Sequence, residues 1–399
     1  MRDFGPAEAR ILSGLGRSLL GSFELYGYER VTVPAFEYAL TLERGLGALD
    51  PREVLRFVEP ETGEVVALRP DMTPQIARLV ATRLRSAPDP IRLCYEGSIV
   101  RLRRERARRH RQIPQAGIEL IGAKAPAGDL EVLEVAGVAL RATGLTTFLL
   151  DLGHARIAGS LIEAAPEHGR AGLSEALGLK DAFELERRAA ALGMSRAEIL
   201  PLVALTELHG ESEIWPAAKR ALQGTAAEPA LTELERVFER AVDLAPRVSV
   251  DLGEVRDLGY YTGVTFQLLS EGPGEPVAAG GRYDGLLARF GTARPAAGFA
   301  IALDNLSWAL GRPESPVVRV LVVGKSELVR ALRDAGVAAA PAPEEDPLAY
   351  ARAFRYSHVL DASGLVQLAT GARIAIAESD PFALAQAVRK ETEETCRRS

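Results

Sequence analysis

The chain is poor in the residues that bind metals or form cross-links. Only two cysteines occur in 399 residues, Cys94 and Cys396, far apart in sequence. That excludes a disulfide framework and a cysteine zinc cluster, and it fits a reducing compartment. The five histidines (His110, His154, His168, His209 and His358) show no HExxH or paired spacing. A histidine-rich metal site is therefore not expected. No apolar run approaches the roughly 20 residues needed to span a bilayer. The opening residues, "MRDFGPAEARILSGLG", lack the apolar stretch of a signal peptide, so the expectation is a cytoplasmic protein with no membrane partner. Repeats of solenoid length and low-complexity segments are missing too. "VVGKS" at 322–326 resembles the end of a phosphate-binding loop, but Arg319 stands where that loop needs its first glycine. No cofactor and no metal is expected.

Lysine is scarce, with 5 against 43 arginines, and the net charge is −6. At that arginine frequency an eleven-residue window holds about one, yet seven fall between Arg101 and Arg111. Composition alone does not account for this cationic segment. Its length makes about two or three domains the expectation.

Along the chain, Ile11, Leu12, Leu15, Leu19, Leu20 and Phe23 recur at helical spacing. "YERVTVPAFEY" reads as a β-branched run ended by Pro34, and "VLRFVEPETGEVVALRP" as a hairpin turning at "ETGE". "TPQIARLVATRLR" predicts a helix with Thr73 as N-cap and Pro74 at its first position. "IRLCYEGSIVRLRR" and "RQIPQAGIELIG" predict an antiparallel pair with the arginines at its tip. "DLEVLEVAGVALRATG" predicts another helix. From about 154 to 245 the pattern is nearly all helical, with breaks expected at Gly178, Gly193 and Pro201. Strands return in "RVSVDLGEV", "YYTGVTFQLL" and "PVAAGGRYDGLLARF". "GRPESP" at 312–317 reads as a linker, and residues 318–399 as a small α/β domain.

The ordered set "YGYERVTVPAFEY", "LRPDMT", "RQIPQAGIE", "VRDLGYYTGVTF", "AAGGRYDGL" and "PAAGFAIALDNL" resembles the catalytic domain of class II histidyl-tRNA synthetases over residues 8–311. The resemblance implies an α+β fold: a six- or seven-stranded antiparallel sheet flanked by helices, with residues 1–311 as one domain carrying the helical insertion, normally as a dimer. It also implies a histidine pocket. Asp71, Thr73 and Gln115 match positions that hold the amino acid's ammonium, and a carboxylate, a hydroxyl and an amide oxygen suit its three N–H groups. Glu119 and Tyr261 match contacts to the imidazole, Tyr260 and Tyr283 line the walls, and Arg256 faces the carboxylate. Arg101 keeps the arginine of motif 2. Two departures stand out: "LRPDMT" has a shorter carboxylate than "LRPEGT", and "RDLGYY" exchanges Gly and Asp relative to "RGLDYY".

The phosphate-binding half looks different. The synthetases' motif 2 glutamate is absent around Arg101, Pro114 stands where a histidine is common, and the motif 3 Glu–Arg pair reads Asp304–Asn305. Neutral, short asparagine cannot clamp a phosphate as arginine does. From Pro316 to Ser399 eleven basic residues balance eleven acidic ones, which argues against an RNA grip. A chain with a histidine pocket but neither catalytic arginines nor an RNA surface is similar, nearly full length, to the ATP phosphoribosyltransferase regulatory subunits. That resemblance implies no catalysis and no tRNA, a short-form catalytic subunit as partner in a hetero-oligomer, and feedback inhibition by L-histidine. A divergent synthetase and a stand-alone histidine sensor remain the alternatives. For Arg103, Arg104, Arg106 and Arg108 three readings stay open: a solvated tip, a contact to the partner or its phosphates, or nucleic acid.

Overall fold

The computed structural model describes residues 2–46, 53–102, 111–255, 259–311, 318–324 and 326–374, with Gln386 and Val388. Arg103, Arg104, Arg106, Arg108, Arg256 and the linker 312–317 lie outside the described residues. The chain divides into two compact units, Met1–Gly311 and Arg312–Ser399.

The first unit is built on nine strands rather than six or seven. Their order is Glu29–Arg30, Ile91–Val100, Gln112–Ile121, Ala296–Ala302, Ala278–Arg282, Val264–Leu269, Leu149–His154, Arg247–Asp251 and His209–Gly210. Pairing is antiparallel except at Glu29–Arg30 with Ile91–Val100 and at Leu149–His154 with Arg247–Asp251. Both outermost strands have two residues each, which keeps the exposed ladder edges short. Pro114 sits inside a strand because pairing with Ala296–Ala302 ends at Gln115. There its missing N–H faces no neighbour.

Alternation assigns the side chains to two cores. Ala116, Ile118, Leu120, Phe266, Phe299 and Ile301 join Leu19 and Phe23 of helix Pro6–Leu25 and Val132 and Leu140 of helix Ala127–Ala142. Ile113, Ile121, Leu93, Tyr95 and Ile99 point the other way, towards Ile76 and Val80 of helix Thr73–Arg83. A separate three-stranded sheet, Phe36–Tyr38, Val65–Leu68 and Arg56–Val58, contains the expected hairpin. Helices Ala155–Ile162, Glu167–Gly178, Ala182–Ala191, Arg196–Ala204, Trp215–Leu222 and Glu228–Ala241 fill most of 155–241. Pro201 does not break the fourth of these: it lies inside helix Arg196–Ala204, so the flanking turns outweigh one lost backbone bond.

The second unit is a five-stranded sheet in the order Ala338–Pro341, Arg319–Val322, His358–Asp361, Gly364–Gln367, Arg373–Ile374. The first three are parallel. Val320 and Val322 pack on one side with Leu332 of helix Ser326–Asp334, while Leu321 packs with Ala351 of helix Pro347–Ala353.

Candidate ligand site

Register brings the candidate residues onto one face of the large sheet. One row across it reads Gly153, Thr265, Gly281, Gly298, Glu119 and Leu93. The next reads Asp151, Gln267, Ala279, Ala300, Gly117 and Tyr95. Glycine and alanine form a floor, and the few large side chains stand around it. Glycine is required at 298, where a Cβ would lie 2.5 Å from the Tyr283 hydroxyl and 2.8 Å from Glu119 Oε2.

Glu119 is 2% exposed. Thr73 Oγ1 donates to its Oε1 at 2.6 Å, and the Tyr283 hydroxyl donates to its Oε2. Burial pushes its carboxyl well above the usual range, with Asp71 nearby adding to the rise and Thr73 opposing it. Asp71 accepts from the Tyr260 hydroxyl at 2.8 Å and from the backbone N–H of Thr73 at 3.0 Å. This last bond corrects the expected cap. Thr73 is the first helical residue, not the N-cap: Asp71 takes the capping bond, which frees the threonine hydroxyl for Glu119. Tyr260, Tyr261 and Tyr283 cluster with ring centroids 4.8, 5.4 and 6.2 Å apart, in tilted or edge-on arrangements, each pair adding about 0.5–1.5 kcal/mol.

Arg101 braces the turn below them. Its Nε donates to the Pro70 carbonyl at 2.7 Å and its Nη2 lies 4.0 Å from Asp71 Oδ2. Gln115 occupies the same sheet face as Glu119 but four residues along, about 13 Å at strand rise. Asp71, Thr73, Arg101, Glu119, Tyr260, Tyr261 and Tyr283 thus gather at one place, with Gln115 farther along the floor.

Two residues escaped the sequence reading. Tyr95 is buried and carries its hydroxyl over Gly117. Its strand parity with Gly97 and Ile99 was the available signal. Arg69, also buried, donates to the carbonyls of Ser98 at 2.7 Å, Val33 at 2.8 Å and Pro34 at 3.1 Å. It ties "LRPDMT" to two other segments, and no local pattern announces such a role.

The residue expected at the motif 3 position is turned inward. Asn305 is buried, and its Nδ2 donates to the Pro276 carbonyl at 2.8 Å. Chemically the pocket offers two carboxyl groups, a threonine and three tyrosines in a small-residue trough, which suits a compact cationic or zwitterionic ligand. Among the described residues no cluster of three metal-ligating side chains occurs and no helix is long and apolar enough to cross a membrane.

The sequence model of the family described as histidyl-tRNA synthetase matches residues 1–306. A protein named ATP phosphoribosyltransferase regulatory subunit from Syntrophotalea carbinolica is 36% identical, over 93% of this chain and 92% of that one. One of the same name from Moorella thermoacetica is 40% identical, over 84% and 89%. A crystal structure from Bacillus halodurans, described as an ATP phosphoribosyltransferase regulatory subunit/histidyl-tRNA synthetase, superposes with a TM-score of 0.78. It is 27% identical, over 90% of this chain and 96% of that one. On this fold, this pocket and these relatives, the chain belongs to the ATP phosphoribosyltransferase regulatory subunit family, built on the histidyl-tRNA synthetase fold.

Proposed function

We propose that the chain is the noncatalytic subunit of an ATP phosphoribosyltransferase, acts on a short-form catalytic chain, and binds L-histidine as the inhibitory effector. The observation that carries this reading is the contrast between the two halves of the site. The polar constellation of Asp71, Thr73, Glu119, Tyr260 and Tyr283 is intact, whereas Asn305 serves a backbone carbonyl instead of a phosphate. Glu119 supports an imidazole ligand because a raised carboxyl and an imidazole share one proton readily. Binding of tRNA is not expected from the charge balance of residues 316–399, and self-association into a dimer rests on the family fold. The protein works in the cytoplasm as part of a hetero-oligomer.

Feedback requires two states that histidine binds unequally; a tenfold preference moves their equilibrium by about 1.4 kcal/mol. The test is to mix the full chain with a short phosphoribosyltransferase and measure turnover. Turnover is expected to rise on mixing and fall on adding histidine. Unchanged turnover on mixing would overturn the reading, and histidine-dependent ATP–pyrophosphate exchange by this chain alone would establish a synthetase instead.

A further inference from the structure

Arg282 and Tyr283 are sequence neighbours with opposite tasks. Arg282 ends strand Ala278–Arg282 and turns to the face that carries helix Ala127–Ala142. Its Nε donates to Asp129 Oδ1 at 2.7 Å, and its Nη1 to the Ala123 carbonyl at 3.1 Å and to Asp284 Oδ1 at 2.9 Å. The side chains of the Arg282–Asp129 pair are 2% and 3% exposed. Asp284 in turn accepts from the backbone N–H of Ala296 at 3.0 Å, and its own N–H donates to Thr262 Oγ1 at 2.8 Å. The N–H of Tyr283 donates to the Ala296 carbonyl at 2.8 Å. The turn carrying Tyr283 is therefore fastened on both sides, with Arg282 at the centre.

A buried ion pair adds little net stability compared with apolar packing, so its presence calls for another reason. We propose that Asp129 is a positioning residue for the ligand pocket on the far face of the sheet: through Arg282 it fixes the Tyr283 hydroxyl against Glu119. The inference rests on reading that pocket as the histidine site. It also gives the pocket a mechanical link to helix Ala127–Ala142, which touches no candidate ligand residue through the contacts described above. Displacing Asp129 loosens the guanidinium, then the turn, then the donor that holds Glu119.

The test is a double-mutant cycle in the full chain with Asp129→Asn, Tyr283→Phe and the pair, reading the histidine Kd by calorimetry. Asp129→Asn is expected to weaken binding roughly tenfold, and the double variant to be no weaker than Tyr283→Phe alone. Wild-type affinity in Asp129→Asn, or single effects that multiply, would overturn the proposal. If Asp129→Asn does not fold, Arg282→Lys replaces it in the cycle: it keeps a cation beside Asp129 but gives up the fork to Asp284, and the same non-additivity is expected. Wild-type protein that binds no histidine would instead defeat the pocket reading. The cycle is then read from thermal midpoints, where non-additive shifts support the positioning role and additive shifts reject it.

Discussion

Glu119 is the residue on which the chemistry of the pocket turns. A carboxyl raised by burial is easier to keep neutral in the fold than in the unfolded chain. Its contribution to stability is thus complete below the unfolded glutamate range and lost as pH rises through the higher folded value. Glu119→Gln removes that dependence. Urea unfolding at several pH values should show the variant gaining on the wild type as pH increases, by at most about 1.4 kcal/mol per unit. Histidine affinity should fall at least about tenfold in the same variant, checked by calorimetry, because an amide has no acidic proton to pass to the imidazole. In the wild type, affinity should also weaken above the folded pKa of Glu119, where binding starts to require a proton from solvent. Glu119, Thr73 and the tyrosines were legible in the sequence because the motifs that carry them are contiguous. Tyr95 and Arg69 were not: their partners lie on other segments, and a buried tyrosine or arginine leaves no local periodicity.

At the scale of elements, the pocket depends on what the strands leave out. Gly117 lies under Tyr95, and a Cβ there would come within 2.6 Å of the tyrosine hydroxyl while also pressing on the Phe299 carbonyl. Gly117→Ala should destabilise the fold by about 1–3 kcal/mol, as over-packing does, seen as a lower midpoint in denaturant. The paired strands around the arginine segment and the helix after "LRPDMT" follow from alternation and proline placement. Less legible were the ends. Thr73 looks like a cap by residue type, but it is the first helical residue, and its own N–H is capped by Asp71 two residues earlier. Pro201 looks like a stop, yet Leu202 beside it is fully buried, and packing of that face holds the helix together across the missing donor. The extra strands at the sheet edges have two residues each, too short to show any pattern.

For the whole molecule, charge rather than shape separates the remaining readings. Serine at positions 103, 104, 106 and 108 should weaken co-elution with a short catalytic chain if the arginines dock there, with a steep loss of wild-type association as salt rises. Equal co-elution at all salt concentrations would leave the segment a solvated tip. The two-unit division, Met1–Gly311 and Arg312–Ser399, has its own consequence: every candidate ligand residue belongs to the first unit. A histidine affinity measured on the full chain should therefore be insensitive to substitutions on the second unit's surface, such as Arg330→Ala, by calorimetry.

The inward-facing amide at position 305 makes that site intolerant of a larger charged side chain. Placing a guanidinium there means evicting a side chain from a filled slot and stranding the Pro276 carbonyl that it satisfies, a loss of about 1–3 kcal/mol. Asn305→Arg should accordingly lower the midpoint of urea unfolding, whatever the nucleotide present.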